Sequence, residues 1–286
     1  MGQNVNIHRL REWIGKSELR SDQIAHVPIA ALSATLDREN TFPRDGEALP
    51  PLWHWLYFLP LHRRSEIDSD GHARRGGFLP PVPLPRRMFA GGRTHWHHPL
   101  RVGDLVSRNS RILDVAHKEG RSGQLVFVRL YHEITSSGRL ALTEEWDIVY
   151  RDKTQSGELN SVFQTAPENA DWSRKIQPDE ILLFRFSALT FNSHRIHYDR
   201  RYAMEEEGYP GLVVHAPLVA ICLLDLLRRN LPDVNLTKFS FRAVKPVFDI
   251  EHFVVSGRFE SSGKTCKLWA SDAQGYLTMD ATATLA

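Results

Sequence analysis

Between Leu218 and Leu227 ten successive residues carry a single charge, Asp225, inside the run PLVAICLLDLLRRN over 217–230. A helix that is apolar on nearly every side has to be enclosed by other parts of the chain, and this requirement narrows the fold more than any other feature of the sequence. The segments that follow supply the enclosure. LTKFSFRAV (236–244), HFVVSGRFE (252–260) and TCKLWASDAQGYLTMDATATL (265–285) are rich in β-branched and aromatic residues and are separated by turn residues, which predicts antiparallel strands. ILLFRFSAL at 181–189, ahead of the helix, also reads as a strand.

The first half shows the same order of elements. Ile24 to Leu36 has helical spacing with Pro28 in its first turn, and the aromatic run LPPLWHWLYFLPL (49–61) suits a buried helix against a sheet. Residues 62–86, rich in Gly, Pro and charge, read as a long surface loop. From 87 to 150 come RMFAGG, DLVSRNSRILDVAHKEG, GQLVFVRLYHEITSSG and RLALTEEWDIVY, a second antiparallel sheet. Each half is thus one apolar helix with a sheet around it, an α+β class, and the duplication is architectural because no letter-for-letter repeat accompanies it. The expected division is a domain over 1–153, a polar linker over 154–175 and a domain over 176–286.

Thirty-six basic against 34 acidic residues leave a net charge of +2, too even for the broad positive field that nucleic-acid or membrane-surface binding requires. An anionic ligand must therefore meet a local cluster. Cys222 and Cys266 cannot form a disulfide framework, and Cys222 lies in the apolar run, as a buried thiol would. The N-terminus lacks an apolar stretch of signal-peptide length, and no segment reaches the roughly 20 apolar residues that span a bilayer. The expected setting is cytoplasmic.

Chemistry concentrates in FRFSALTFNSHRIHYD (184–199), which turns through Asn192 and Ser193 and then sets His194, His197 and Asp199 close together. Downstream, YPGLVVHAPL brings a Pro210-Gly211 turn, His215, Ala216 and Pro217 to the start of the apolar helix, where proline is tolerated. A helix start has free N–H donors and the positive end of the peptide dipole, so the Ala216 N–H suits a developing oxyanion. Addition of water to an α,β-unsaturated thioester needs such a donor, together with a base that takes the water's proton. His197, titrating near working pH, is the candidate base, and Asn192 is expected to fix the water through its side-chain carbonyl.

FSALTFNSHRIHYD followed by YPGLVVHAPL resembles the signature of the MaoC-like, R-specific enoyl-CoA hydratase family, in its thioester-dehydratase branch. RRMFAGGRTHWHHPLRVGD (86–104) and EEWDIVYRD (144–152) extend the resemblance through the first half, which implies a double hot dog. The family's Asp falls on Asn192, its His on His197, and its His-Gly pair at the helix start on His215 and Ala216, while its Asn-Pro positions hold His194 and Arg195. The resemblance implies a CoA thioester as substrate with no cofactor and no metal, and a homodimer. Within the branch it implies the C5 dicarboxylates itaconyl-CoA or mesaconyl-C4-CoA, hydrated to citramalyl-CoA in itaconate breakdown. The substrate-binding set is Ala216, His215, Gly211, Arg93 and Arg195, the two arginines standing as candidates for the extra carboxylate. Arg242 and Lys245, with Lys238, Arg228 and Arg229, are candidates for the CoA phosphates, and the RRGG and PRRM stretches of the first half are a second set.

Each assignment has a plainer counterpart. His197 alone fits a structural histidine, Asn192 a turn residue, Asp199 an N-cap for the RRYAMEEEG stretch, and His215 a residue bracing the loop. His194, His197 and Asp199 lack a further ligand at metal-binding spacing. Adjacent residues of a strand point to opposite faces, so His95, His97 and His98 cannot all converge. A 3-hydroxyacyl-thioester dehydratase of fatty-acid synthesis and a non-catalytic acyl-CoA-binding protein stay open beside the hydratase.

Overall fold

The computed structural model describes residues 5–39, 42–120, 123–152, 163–260 and 263–286. In the first half these form β1 (Ser17–Gln23), β2 (Arg86–Trp96), β3 (Leu105–Gly120), β4 (Gly123–Ser136) and β5 (Arg139–Arg151). The second half forms β6 (Trp172–Ile176), β7 (Leu236–Ala243), β8 (Phe253–Phe259), β9 (Thr265–Asp272) and β10 (Leu277–Leu285). All pair antiparallel in one sheet, ordered β1-β3-β4-β5-β2-β7-β10-β9-β8-β6. Numbered within its own half, each set runs first, third, fourth, fifth, second. The halves therefore repeat one pairing scheme and meet through their second strands, β2 and β7. Gly91 and Gly92 make that meeting close, since a Cβ at Gly91 would lie 2.6 Å from the Phe241 carbonyl oxygen and one at Gly92 2.9 Å from the Phe241 ring.

The helices are α1 (Ile7–Arg11), α2 (His26–Thr35), α3 (Glu180–Leu189) and α4 (Ala216–Asn230). Every residue of α4 from Leu218 to Leu227 is buried, Asp225 included, as its composition requires. Asp225 is held by ion pairs to Arg38, to Arg174 at 2.9 Å and to Arg229 at 2.7 Å, which tie the helix to both halves. Among the described residues the first half has no helix of comparable length. There α2 contributes Ile29 and Leu32, and a single 3-10 turn, Trp53–Leu56, contributes Trp53 and Leu56 to the same core that encloses α4. The expected helix over 24–36 is present as α2, whereas the 49–61 run is mostly irregular.

The structure changes the reading in three places. ILLFRFSAL is not a strand but α3, because Asp179 Oδ1 caps the Leu182 N–H at 2.7 Å and only Leu183, Phe186 and Ser187 turn inward, a helical spacing. Residues 172–175, read as linker, form β6 with Ile176 against β8, while the linker's first part, through 162, lies outside the described residues. Residues 17–23 form β1, whose alternate residues are exposed. No helix among the described residues is long and apolar enough to cross a membrane, and both cysteines are buried and free.

Candidate active site

The site begins where α3 stops. The Phe191 N–H reaches the Ala188 carbonyl at 3.3 Å and the Asn192 N–H the Ser187 carbonyl at 2.8 Å, a Schellman closure with Phe191 in the left-handed region at φ 49°. A side chain there costs about 1 kcal/mol relative to glycine, and the half-exposed Phe191 ring borders a cavity of about 1350 Å³. The chain then turns on Asn192, whose Oδ1 accepts the His194 N–H at 3.0 Å. That engages the carbonyl in the turn and leaves the Nδ2 hydrogens without a partner among the described residues.

His197 closes the following 3-10 turn, Arg195–His197, and is buried. Its Nδ1 lies 2.7 Å from the Val213 carbonyl oxygen, an acceptor, so Nδ1 carries the proton and Nε2 is the free lone pair. One face of its ring stacks on His215, 3.6 Å between centroids. His215 is in turn fixed through Nε2 to Ser187 Oγ at 2.9 Å, so α3, the loop and the head of α4 hold one another. Burial drives the His197 imidazole down to about 4 and His215 further below its ordinary value, so both are neutral near pH 7.

His215 is the N-cap of α4, without a side-chain cap bond, and Pro217 occupies the first turn. The Ala216 N–H meets no acceptor among the described residues, and Ala216 lines the cavity with Asn192, His194, His197 and His215. An electron-rich oxygen placed there meets a donor and the helix dipole together.

The segment read as a surface loop proves to be part of the site. Its residues 68–74 dock on the 193–195 turn: the Arg195 N–H donates to the Asp70 carbonyl at 2.9 Å, and Ser193 Oγ to the Gly71 carbonyl at 2.6 Å. Gly71, at φ 90°, has the Ser193 carbonyl oxygen where a Cβ would stand. Docking brings His72 over His194, 3.9 Å between ring centroids, and His194 lies 5.4 Å from His197, edge to face. Asp70 Oδ2 accepts from His72 Nδ1 at 3.0 Å. Burial, with the Arg87 charge beside it, takes His72 down to about 4; burial and His72 lower His194 as well. Burial acts to raise the Asp70 carboxyl, but the hydrogen bonds and charge of His72 together with the Arg87 charge outweigh it and take the carboxyl to about 2.

Asp70, His72 and His194 present atoms within 4.8 Å of one another, the arrangement among the described residues nearest to a metal-ligand set. It differs from the trio considered from sequence, because Asp199 is turned to Arg195 at 2.8 Å and caps the Tyr202 N–H at 3.0 Å. Asp70 already serves His72, and the Arg87 cation lies alongside, which disfavours a second positive charge.

The structure separates several other candidates from the cavity. Arg93 lies on the outer face of the sheet, paired with Glu145 and Asp147 at 2.9 Å each, because β2 turns alternate residues to opposite sides. Arg195 pairs with Asp199 and covers the Tyr202 ring, so its guanidinium points away from His197. Gly211 packs against Asp249, with 2.7 Å to its Oδ1 from a Cβ position. Arg242 is exposed on β7 in register with Gly91, and Lys238 pairs there with His95. Arg228 and Arg229 end α4 against Trp53 and Asp225. Lys245 reaches the cavity rim but is paired with Asp272. Four of the arginines that line the cavity come instead from RRGG and PRRM, namely Arg74, Arg75, Arg86 and Arg87, beside Arg20, Arg108 and Arg151.

Comparison with known proteins gives the family and the fold. The family model for hydroxyacyl-thioester dehydratase type 2 matches residues 52–249, which span both halves of the site. The chain is 45% identical over 273 residues to the mesaconyl-C(4)-CoA hydratase of Chloroflexus aurantiacus, covering 96% of each. A solved MaoC-like dehydratase superposes with a TM-score of 0.71 at 11% identity, covering 96% of this chain and 99% of that one. A Mycobacterium tuberculosis protein described as a double hot dog gives 0.59 at 11% identity over 96% of each chain.

Proposed function

Because the chain belongs to the hydroxyacyl-thioester dehydratase type 2 family, folds as a double hot dog and is a hydro-lyase, we propose that it adds water reversibly to mesaconyl-C4-CoA, forming citramalyl-CoA. The observation that carries the reading is the pairing of a free His197 Nε2 with an unpartnered Ala216 N–H on one cavity wall, locked together by the His197–His215 stack.

The steps follow from those two groups. A water held by the Asn192 Nδ2–H gives a proton to His197 Nε2 as its oxygen bonds to the β-carbon. The alkene pair moves toward the thioester, and the charge that gathers on its oxygen is met by the Ala216 N–H, already in place. His197 then returns the proton to the α-carbon, so the atoms of one water are added and nothing is oxidised or reduced. This sequence draws on no cofactor and no metal. Dehydration is the same path reversed.

Support for the substrate comes from the 45% identical hydratase, whose name specifies mesaconyl-C4-CoA. The exposed Arg74 at the mouth suits a CoA phosphate better than Arg242, which lies on β7 outside the cavity lining. A role in itaconate breakdown, with itaconyl-CoA as a related substrate, a cytoplasmic setting and a homodimer belong to the same reading. Loss of the enoyl-thioester absorbance on adding enzyme to mesaconyl-C4-CoA tests it. Turnover there well above that of a medium-chain 2-enoyl thioester on acyl-carrier protein supports it; the reverse order assigns the site to fatty-acid synthesis, and turnover of neither overturns the enzymatic assignment.

A further inference from the structure

In a but-2-enedioyl thioester such as mesaconyl-C4-CoA the free carboxylate sits on the carbon that receives the water. Any group recognising that carboxylate must therefore stand beside the water-activating imidazole, not at a distant end of the cavity. The cations of the cavity wall divide sharply on this condition. Arg86 is bound to Glu207 at 2.8 Å and Arg20 to Glu18 at 3.2 Å. Arg75 gives its hydrogens to the Val82, Leu84 and Pro85 carbonyls, and Lys245 is paired with Asp272. Arg108 lies with Phe58 and Glu144 in the first half, away from His197, Arg151 stands opposite Arg86 in the ladder and is itself engaged, and Arg74 is exposed at the mouth.

Arg87 is different. It is half-buried at the start of β2, opposite Tyr150 in the ladder and on the same strand face as Phe89, and it lines the cavity. No hydrogen bond or ion pair engages its guanidinium among the described residues. Its charge acts on His72, His194 and Asp70, which places it at the His72 end of the imidazole row. From α4 the row runs Ala216 and His215, His197, His194, His72, with 3.6 Å, 5.4 Å and 3.9 Å between the centroids of successive rings. A half-buried cation without an acceptor is costly to maintain unless a ligand completes it.

We propose that Arg87 is the carboxylate-recognising residue of the site, taking the free carboxylate of a dicarboxylic enoyl thioester while the Ala216 N–H takes the thioester oxygen. The order of groups along the row then matches the order along the substrate: carbonyl, alkene, carboxylate. A planar guanidinium offers two parallel N–H donors to one carboxylate, which also fixes the face of the alkene shown to His197. His72, neutral and held by Asp70, fills the gap beside it and keeps water from solvating the pair. The inference rests on the hydratase reading above and names the feature of the substrate that the site selects.

The test compares mesaconyl-C4-CoA with crotonyl-CoA, which has the same enoyl chain but no carboxylate, in the native protein and in Arg87→Met and Arg87→Lys. The expected result is a native preference for the dicarboxylate that collapses by roughly 100-fold in the kcat/KM ratio in Arg87→Met, mainly through KM, with part of it restored in Arg87→Lys. General misfolding lowers both substrates together and leaves the ratio alone, so a ratio that does not move overturns the assignment. If the native protein hydrates neither thioester, the hydratase reading fails separately. Calorimetric binding of citramalyl-CoA against 3-hydroxybutyryl-CoA still reads Arg87: loss of selectivity in Arg87→Met supports it, and equal selectivity in both proteins refutes it.

Discussion

The rings of His197 and His215 lie face to face, 17° from parallel, with 3.6 Å between centroids. This contact joins the loop that carries the candidate base to the residue preceding the candidate oxyanion donor, so the two chemical groups share one rigid support. It also seals one face of His197 from water, and that burial keeps its imidazole neutral.

The first consequence concerns pH. A base that titrates at about 4 stays competent well below the range of an ordinary histidine. The acid limb of the kcat/KM profile should therefore fall with a midpoint near 4, since protonation at Nε2 removes the base. In His215→Ala, water reaches the uncovered ring, and the limb should move up toward 6.5. A native midpoint near 6.5, unmoved in the variant, would show that the stack does not set the proton affinity.

Stability should follow the same imidazoles. His72, His194, His197 and His215 are all lowered, chiefly by burial, with His72 and His197 at about 4. The unfolded chain binds protons at these positions near pH 6.5, whereas in the folded chain His72 and His197 refuse them until about 4 and the others stay neutral to lower pH still. Stability is thus fully present above 6.5 and is lost as pH falls through that window, by roughly 1.4 kcal/mol for each unit a group is displaced. Thermal unfolding at pH 7, 6 and 5 should show a steadily falling Tm; a flat Tm over that range contradicts the neutral row.

Gly71 tests the docked loop. An added methyl has nowhere to go, because the Ser193 carbonyl oxygen occupies the Cβ position and the backbone is at φ 90°. Gly71→Ala should lift His72 away from His194 and reduce kcat/KM by roughly 10-fold or more. Limited proteolysis should cut first within 62–80. Full activity with native resistance to protease would show that the loop is not part of the site.

Phe191 stands in the left-handed region at the exit of α3 with its ring on the cavity. Phe191→Gly relieves about 1 kcal/mol of backbone strain, offset in part by the greater freedom of glycine in the unfolded chain. Its Tm should hold while KM for the thioester rises several-fold. A marked drop in Tm with KM unchanged would mean that the ring is there for packing alone.

Much of this was legible in the residues. The strands β2 to β5 and β7 to β10 alternate or concentrate apolar residues because they cover the core, and α4 could only be a buried helix. The edge strands β1 and β6 were not legible, since SELRSDQ and WSRKI bury too little to leave a pattern. In α3 the capping Asp179 and the Schellman exit outweighed a strand-like composition. At the site, His197, Asn192, His215 and Ala216 are near neighbours in sequence and converge in space. His72 and Arg87 come from the other half of the chain, and a Gly-Pro-rich loop gives no sign of where it docks. Residues 62–86 read only as a surface loop, and the Gly71–Ser193 contact is what shows which residues it meets.

The most direct test is the hydration rate of His197→Asn. The asparagine amide can keep the donor to the Val213 carbonyl while removing Nε2. In this variant kcat on mesaconyl-C4-CoA should fall by roughly 10³-fold or more while the affinity for citramalyl-CoA stays within a few-fold of native. A kcat within threefold of the native enzyme would contradict it, because the proton would then have another acceptor.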